Sequence, residues 1–492
     1  MSKVIVGIDF GTSGIGYAFS FSSDNPNSII LSDFHGQGAD NKVPSEIILD
    51  HYLEDVLAFG AECKGYIGTH DKNEYEYFKN IKMNLYHKIY TIKSTNGKEA
   101  DIELIISKML KTISDNALSQ IQRANKLIEK KDIKWVVTIP SIWEEKCKQI
   151  MINASIRANL INENDDKTLF LALEPEVAGI YYYICSLFNS EFNCEHIQEG
   201  KPYIICDIGA GTVDICTHRK IMQDNKTSQL IEEYPPLGGD YGGNKINEVF
   251  INKFIIEIFG EENVKKLQSN SGDNEDWNEF EKNIELLKIS CYNNELTLTN
   301  STLDCELFED GLCPEKTLDY YIHEYDKKNL EKKYKIQKKK KWKLEFDSQI
   351  FLDIAKELSY KIFSKIEEIY NNAHTGNIIM SGAGSKNEII TNYFYDFAKE
   401  KNMKIEITIP PNREISIMKG AVLFGFQSDI IRKRKAKYTL GIKIVRDWED
   451  KYEGKGIKKN SELDGKIKCI NLFNKFITRN EYIEFDKVIK KK

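Results

Sequence analysis

The sequence lacks the Cys-x-x-Cys pairs that mark zinc sites and redox-active dithiols. Its ten cysteines are scattered, and several lie inside apolar runs, which is typical of reduced, buried thiols and not of a disulfide framework. No apolar run approaches the roughly 18 residues that span a bilayer. The first predicted strand begins at Val4, which leaves no room for a signal peptide. We therefore expect a cytoplasmic protein with no membrane span.

The chain also has no large net charge of either sign. The net charge is −6 with 29% charged residues, which argues against nucleic acid as a partner and gives no polyacidic tail. The one strongly basic stretch, residues 315 to 343 with its "KKKK" at 338 to 341, is interpreted as a solvated insertion, with a nucleic-acid contact as the less favoured alternative. The 492 residues, 41% of them hydrophobic, can fill two or more domain-sized lobes.

What the sequence does contain is an alternation of strand and helix patterns, which predicts an α/β fold. Short strands are predicted after Arg434. The other predicted elements are a strand-turn-strand at 4 to 21, helices at 102 to 130 and 143 to 160, strands at 134 to 140 and 169 to 175, a helix at 176 to 188, a hairpin at 203 to 220, a Gly-rich turn and helix at 237 to 260, and helices at 348 to 372 and 391 to 400.

Two hairpin turns are near copies of each other, "GIDFGTSG" at 7 to 14 and "DIGAGTVD" at 207 to 214. In each, an aspartate ends the first strand, glycines let backbone N–H groups approach an anion, and hydroxyls add donors. Strands flank both turns, unlike a Walker or Rossmann loop, in which the turn opens a helix. The residues concerned are Asp9, Gly11, Thr12, Ser13, Asp207, Gly209, Gly211 and Thr212.

This is phosphate-binding chemistry that also needs a cation, because the aspartates would otherwise repel phosphate. Mg²⁺ suits carboxylates and phosphate oxygens in such a site. Two facing hairpins would clamp a polyphosphate and its metal from two sides. A third Gly-rich turn at 378 to 385 favours this interpretation over the alternative, a pair of ordinary glycine hairpins.

Together with "LALEPEVAGIYY", "GGNKINEVF" and "IIMSGAGSKNEII", the two turns resemble the ordered phosphate, connecting and adenosine motifs of the actin, hexokinase and DnaK-type heat-shock chaperone superfamily. Within it, "YFKNIKMNLY" and "WVVTIPSIWEEKCKQIM" look most like the branch called heat shock 70 kDa protein 12. The resemblance covers residues 4 to about 445. It implies a two-lobed actin-like ATPase fold of duplicated ribonuclease H-like lobes that binds ATP or ADP with Mg²⁺.

The resemblance also implies roles for individual residues on the phosphate side. Asp9 and Asp207 would hold waters of the Mg²⁺ shell. Asp214 would orient or deprotonate the attacking water, with Glu174 near the metal and Lys82 reaching the terminal phosphate. Thr212 would act with them in hydrolysis, and the phosphates would lie on Gly11, Thr12, Ser13, Gly209, Ala210, Gly211 and Thr212.

On the adenosine side, the resemblance implies that Gly242 and Gly243 let the backbone approach the nucleotide. Glu285 and Lys288 would meet the ribose and adenine, and a salt bridge on a helix face is the alternative for this pair. The base platform would be formed by Gly382, Ala383 and Gly384, with Lys386 where the family often has an arginine. A plain strand-to-helix connection is the alternative for that turn.

The sequence departs from the family at Ala210 and Ala383, which replace glycines. An added methyl group narrows the approach of the backbone to a ligand or disfavours a positive φ, so weak turnover or altered affinity is expected. Residues 426 to 492 are too few for the peptide-binding sandwich and lid of a DnaK-type chaperone, so we expect a docked β appendix and no ATP-regulated peptide clamp.

These observations predict lobes at 1 to 200 and 201 to 425, an insertion at about 300 to 345, and a short β-rich region at 426 to 492. The predicted activity is slow Mg-dependent ATP hydrolysis coupled to opening and closing of the lobes. Client proteins and cochaperones are conceivable partners that the sequence does not name. Three alternatives stay open, namely a nucleotide-sensing scaffold with negligible hydrolysis, a sugar or metabolite kinase, and a filament-forming actin relative.

Overall fold

A computed structural model of the chain describes residues 2–25, 28–34, 41–162, 168–187, 197–223, 227–269, 274–293, 301–311, 316–329, 333–386, 388–462 and 464–488. Within these ranges, no helix is both long enough and apolar enough to cross a bilayer. The free cysteines of this part of the chain are buried apart from Cys185, which is half-buried. Cys194 and Cys313 lie outside the described residues.

The strands are β1 (Val4–Phe10), β2 (Gly14–Phe21), β3 (Ile30–Leu31), β4 (Val43–Pro44), β5 (Ile47–Leu49), β6 (Val56–Phe59), β7 (Glu76–Phe78), β8 (Thr91–Lys93), β9 (Glu99–Asp101), β10 (Ile133–Ile139), β11 (Leu169–Leu173), β12 (Pro202–Ile208), β13 (Val213–Gln223), β14 (Thr227–Gly239), β15 (Ser301–Asp304), β16 (Ile336–Lys340), β17 (Lys343–Phe346), β18 (Asn377–Ser381), β19 (Glu406–Thr408), β20 (Ile431–Lys435), β21 (Leu440–Asp447), β22 (Ile457–Asn460), β23 (Ile467–Ile477) and β24 (Tyr482–Glu484).

The α-helices are α1 (Glu62–Ile67), α2 (Ile81–Tyr86), α3 (Ile102–Ala124), α4 (Glu145–Arg157), α5 (Glu174–Leu187), α6 (Gly243–Phe250), α7 (Ile256–Phe259), α8 (Glu261–Ser269), α9 (Asn274–Asn293), α10 (Leu307–Gly311), α11 (Leu318–Lys328), α12 (Gln349–Ala373), α13 (Glu388–Glu400) and α14 (Ser416–Phe426). A π-helical turn at Ile251–Ile255 joins α6 to α7, and a 3-10 turn at Ala383–Lys386 precedes α13.

Two mixed sheets organise the molecule, and their first five strands follow the same order. One sheet runs β11-β10-β1-β2-β3, with β4 also paired to β2, and the other runs β19-β18-β12-β13-β14-β20-β24. In each, a central antiparallel hairpin, β1–β2 or β12–β13, has a parallel strand beside its first member. The two Gly-rich turns therefore occupy equivalent positions in the two sheets.

Helices α5 and α14 lie between the sheets and share one apolar cluster with both. Ile5 and Val136 of the first sheet and Ile205 of the second belong to this cluster. The helices approach closely because Gly420 has no side chain: a Cβ there would lie 1.9 Å from the carbonyl oxygen of Val177. This packing fixes the ends of β1 and β12, where the turns lie, relative to each other.

The structure corrects two predicted boundaries. The helix that begins at Ile102 ends at Ala124, not at residue 130. The strand expected to end at Pro175 ends at Leu173, and Glu174 and Pro175 instead form the first turn of α5. Proline is well tolerated there because the N–H groups of a first turn have no partner within the helix.

The described part of the basic segment near residue 330 includes α11 and β16, and the lysines at 338 to 341 are exposed. That the segment is an insertion stays a prediction. Leu318 and Tyr321 of α11 and Trp342 are buried. The lysines of β16 lie on the other side, where Lys338 pairs with Asp319 at 2.5 Å. The segment thus has one buried face and one charged face.

From Ile431 onward the described chain forms five strands of 3 to 11 residues. β20 and β24 extend the edge of the seven-stranded sheet, with β20 parallel to β14. β21, β23 and β22 form a separate three-stranded sheet on which Ile442, Val445 and Phe473 are exposed. The expectation that this region does not grip peptides in an ATP-regulated manner stays a prediction.

Candidate functional site

The two Gly-rich turns contact each other. A Cβ at Gly211 of the second turn would lie 2.7 Å from Oγ1 of Thr12 in the first. In the first turn, the hydroxyl of Ser45 donates to the carbonyl of Gly11 at 2.6 Å, and the Ser45 N–H donates to the carbonyl of Ser13 at 3.3 Å. In the second, the N–H of Gly209 donates to the carbonyl of Thr212 at 2.9 Å.

Four carboxylates converge beside these turns: Asp9 at the end of β1, Glu174 at the start of α5, Asp207 at the end of β12 and Asp214 in β13. Each is at most 4% exposed. Asp207 and Asp214 are register partners across the β12–β13 hairpin. Burying one unpaired carboxylate is costly, so a cluster of four needs cations or hydrogen-bond donors.

Two lysines supply positive charge to the cluster. Lys82 of α2 is buried and forms an ion pair with Glu174. Nζ of Lys42, which precedes β4, lies 2.5 Å from Oδ2 of Asp9. Lys82 was predicted from the resemblance alone. Lys42 was missed, because a lone lysine in a polar segment carries no pattern that separates it from a surface charge.

Ser141 was also not identified from the sequence, and it holds the carboxylate of Asp214 in place. Its backbone N–H and its hydroxyl both donate to Oδ1 of Asp214, each at 2.6 Å. Ser141 follows Pro140 directly after β10, the strand parallel to β1. Sequence reasoning had identified that strand but had no signal for the hydroxyl that follows it.

The charges of the site are unbalanced. Burial, followed by the negative charges of Asp214 and Asp9, raises the pKa of Asp207 to about 7, although Lys42 and Lys82 oppose the shift. Burial also raises the pKa of Glu174 and that of Asp214. Two lysines facing four carboxylates leave room for further positive charge.

Two carboxylate oxygens support the same conclusion. Oδ1 of Asp207 and Oδ2 of Asp214 are buried without a hydrogen-bond partner. Among the described residues, however, no three His, Cys, Asp or Glu side chains form a ready-made metal cluster. The donor set fits a hard cation that keeps water or phosphate ligands better than one held by protein ligands alone.

We expect Asp207→Asn to stabilise the nucleotide-free protein at pH 8 more than at pH 5. The folded-state pKa of Asp207 lies above its unfolded value near 4, so its contribution to stability is present at low pH and is lost as the pH rises through about 7. An amide removes this loss, which is on the order of 2 kcal/mol. Thermal melts of both proteins from pH 5 to 8 measure it, and a stability difference that does not change with pH would contradict it.

The start of α6 closes the second turn. The N–H groups of Gly242, Gly243 and Asn244 donate to the carbonyls of Gly211, Gly209 and Ala210 at 3.1, 3.1 and 2.8 Å. These bonds satisfy donors that a helix start leaves without partners. A Cβ at Gly242 would lie 2.5 Å from the Ala210 carbonyl oxygen, so glycine is required for this contact.

Neither alanine that replaces a family glycine is strained. Ala210 and Ala383 are both absent from the non-glycine residues with positive φ. Their methyl groups therefore impose no backbone cost of the kind expected from the sequence. The methyl groups of Ala210 and Ala383 could still keep a ligand from coming close to the backbone of the turns, and this stays a prediction.

Glu285 and Lys288 of α9 form the salt bridge that was the alternative interpretation, at 2.6 Å. They nevertheless lie beside the second turn, because Nζ of Lys288 also donates to the carbonyl of Gly243 at 3.1 Å. Asn247 of α6 donates to Glu285 at 2.7 Å. Burial lowers the pKa of Lys288. The pair thus links α9 to the segment that closes the turn.

The third Gly-rich turn packs on the second. Gly382 has φ +78°, and a Cβ there would lie 2.6 Å from Oδ1 of Asp207. Gly384 approaches Ile208 in the same way, with a Cβ position 2.9 Å from the Ile208 carbonyl oxygen. Lys386 points elsewhere, since its exposed side chain pairs with Glu414. The two glycines of this turn are therefore next to the carboxylate cluster, and the lysine is not part of it.

Comparison with known proteins agrees with the motif resemblance. The chain is 24% identical to heat shock 70 kDa protein 12A of Homo sapiens, and equally to that of Mus musculus, over 99% of this chain and 78% of the relative. It is 22% identical to heat shock 70 kDa protein 12B of Homo sapiens over the same shares. No protein-family model matches.

The predicted resemblance to the heat shock 70 kDa protein 12 branch is thereby confirmed over almost the whole chain. The mixed α/β architecture fits an actin-like ATPase fold.

Proposed function

We propose that the chain binds ATP or ADP with Mg²⁺ and hydrolyses ATP slowly, in a cytoplasmic protein of two duplicated actin-like lobes that open and close around the nucleotide. One observation carries the proposal: two equivalent Gly-rich turns meet beside four buried carboxylates and two lysines. The shared strand order of the two large sheets supports the duplication. A full peptide-binding domain is not part of the proposal.

The turns would hold the phosphates. Backbone N–H groups at Gly11 to Ser13 and at Ala210 to Thr212, with the hydroxyls of Thr12 and Thr212, are the donors that a polyphosphate requires. The contact between Gly211 and Thr12 brings these two sets of donors together. A chain of phosphates lying between them would be contacted from both sheets.

Asp9 and Asp207 are the residues that would hold the metal, through water. The unpartnered Oδ1 of Asp207 and its raised pKa support this assignment. A nearby cation would stabilise the ionised form of such a buried carboxylate. When bound, Mg²⁺ supplies positive charge that neutralises the phosphate oxygens during transfer. Catalysis in such a site is mainly positioning and charge stabilisation.

Hydrolysis would depend on Asp214, Glu174 and Lys82. Ser141 fixes one oxygen of Asp214 and leaves Oδ2 without a partner, which suits an acceptor for the proton of an attacking water. Glu174 holds the ammonium of Lys82 within the same cluster. Lys82 would change partners, from Glu174 to the terminal phosphate, when nucleotide binds.

Calorimetry and single-turnover hydrolysis with Mg-ATP test the proposal in the wild-type chain and in Lys82→Ala. We expect wild-type binding, and a loss of about 10² in the hydrolysis rate of the variant with a much smaller loss of affinity, because one preorganised cation is removed. Thermal melts of Lys82→Ala and of the double variant Lys82→Ala/Glu174→Gln show how much stability is lost because the buried carboxylate is left unpaired. If the wild-type chain does not bind Mg-ATP, the proposal is wrong, and if Lys82→Ala hydrolyses normally, the role passes to another residue.

A nucleotide-sensing scaffold with negligible hydrolysis is the second candidate. It is favoured because groups that could contact phosphate already have partners within the protein. Lys82 pairs with Glu174, and the first N–H groups of α6 donate to carbonyls of the second turn. The same single-turnover measurement separates the candidates, because a scaffold would bind Mg-ATP and leave it intact.

A further inference from the structure

Lys42 reaches the carboxylate cluster along a path that the fold provides. The residue directly precedes β4, which pairs with β2 through Val43 opposite Ile15 and Pro44 opposite Gly14. On the other side of β2 lies β1, where Asp9 is the register partner of Gly16. The side chain of Lys42 must therefore cross β2 to reach Asp9.

Glycines make this crossing possible. A Cβ at Gly16 would lie 2.9 Å from Cγ of Lys42, and a Cβ at Gly14 would lie 3.5 Å from its Cβ. The same Cβ would also lie 2.5 Å from the carbonyl oxygen of Asn41 and 2.7 Å from Sδ of Met418, so a larger residue at Gly16 would force some of these atoms, the lysine stem among them, to shift. The stem of Lys42 occupies the space that the missing side chain leaves, which places Nζ 2.5 Å from Oδ2 of Asp9.

Lys42 lies among acidic groups. Its ammonium faces Asp9 directly, and the charges of Asp207 and Glu174 also act on it. With Lys82 on Glu174 and Lys42 on Asp9, two of the four carboxylates already have cationic partners. Asp207 and Asp214 keep one unpartnered oxygen each.

We propose that Lys42 is a resident cation that occupies Asp9 and suppresses the binding of free divalent metal to the nucleotide-free site, so that Mg²⁺ enters together with the nucleotide. This inference rests on the proposed function and adds an order of binding to it. The carboxylate cluster offers no ready-made group of three metal ligands in the described chain, so a metal ion alone would meet an incomplete site. Nucleotide phosphates then complete the coordination that the protein alone does not supply.

The alternative is that Lys42 is only a structural contact that anchors the segment before β4. The two possibilities predict different effects on metal affinity when the charge of Lys42 is removed. If Lys42 competes with metal, removing its charge strengthens metal binding, because the positive ammonium strongly repels a divalent cation close to it. If Lys42 is only an anchor, removing it leaves metal affinity unchanged or weakens it.

The test is calorimetric titration of the nucleotide-free chain with MgCl₂ alone, in the wild-type protein and in Lys42→Met. We expect Lys42→Met to bind Mg²⁺ at least about tenfold more tightly than the wild type. Lys42→Gln provides a second variant that keeps the stem and a hydrogen-bond donor without the charge, in case Lys42→Met does not fold. Lys42→Arg keeps the charge and should bind Mg²⁺ as weakly as the wild type.

Lys401→Met is the matched control. Lys401 directly follows α13 and pairs with Glu367 of α12 at 2.5 Å, with side chains 29% and 28% exposed. This ion pair involves none of the four carboxylates, so its loss should not change Mg²⁺ binding. Equal or weaker Mg²⁺ binding by both uncharged Lys42 variants would overturn the inference.

A parallel titration of the wild-type chain with Mg-ATP distinguishes a failure of the Lys42 role from a failure of the proposed function. Binding of Mg-ATP by the wild type, together with unchanged Mg²⁺ affinity in the Lys42 variants, would reject the role of Lys42 and leave the proposed function standing. A wild-type chain that does not bind Mg-ATP would reject both.

Discussion

Replacing Asp214 by asparagine is expected to lower the single-turnover rate of ATP hydrolysis by about 10² to 10⁴ while changing Mg-ATP affinity by no more than about threefold. An asparagine preserves the shape of the side chain and can still accept from Ser141, whose N–H and hydroxyl each lie 2.6 Å from Oδ1. What it lacks is a second anionic oxygen to accept a proton from water. Rapid-mixing measurements with radiolabelled ATP give the rate, and calorimetry gives the affinity.

Ser141→Ala is the informative companion. It removes the hydroxyl donor and retains the backbone donor, so Asp214 keeps its charge but loses one of two bonds that orient it. We expect a loss of about tenfold or less in rate, which corresponds to one net hydrogen bond. If Asp214→Asn hydrolyses as fast as the wild type, Asp214 does not handle the proton, and Glu174 becomes the candidate.

The second large effect is on stability: Arg434→Met should lower the free energy of unfolding by about 3 to 5 kcal/mol, the typical cost of leaving a buried charge unpaired. Arg434 of β20 donates to both oxygens of Glu176 at 2.8 and 3.0 Å, and Glu176 is 2% exposed. Glu232 is buried nearby, where burial and then Glu176 raise its pKa to about 8. The substitution would leave these two acids without the guanidinium.

The neighbouring Lys433→Met provides the control. Lys433 lies on the same strand and pairs with Glu484 at 3.4 Å, with side chains 37% and 40% exposed, and exposed pairs contribute about 0 to 1 kcal/mol. Adding Glu176→Gln to Arg434→Met should restore part of the lost stability. Chemical denaturation of all four proteins measures these differences, and equal losses for Arg434→Met and Lys433→Met would contradict the expectation.

The parts of the site that local sequence determines were predictable. Asp9 and Asp207 follow from the composition of two turns and from the repetition of that composition in one chain, whereas the role of Asp214 was implied by the resemblance. The strand and helix order follows from apolar periodicity, and it placed the ends of α4 and α12 within a few residues of where the structure has them. Local chemistry is therefore enough to identify candidate residues wherever a motif is contiguous, and their roles stay predictions.

The residues that were missed depend on contacts between distant parts of the chain. Lys42 meets Asp9 across 33 residues, and Ser141 meets Asp214 across 73. Neither has a distinctive neighbourhood in sequence, so only the folded structure reveals them. Lys42 crosses β2 within the first sheet, and Ser141 reaches from the first sheet to Asp214 in the second. The buried face of the basic segment was not predicted for a related reason: the exposed lysine run of β16 hides the burial of Ile336 at its start.

The position of α14 has a consequence for the synthesis of the protein. The strands of the first sheet have all emerged from the ribosome once Leu173 is out, yet the helix that covers Ile5 and Val136 ends only at Phe426. At a synthesis rate of roughly 5 to 20 residues per second, that apolar face stays exposed for on the order of 10 to 50 s before α14 can pack on it. Slow codons or a stalled ribosome between α5 and α14 would therefore prolong the exposure of an aggregation-prone surface in the nascent chain.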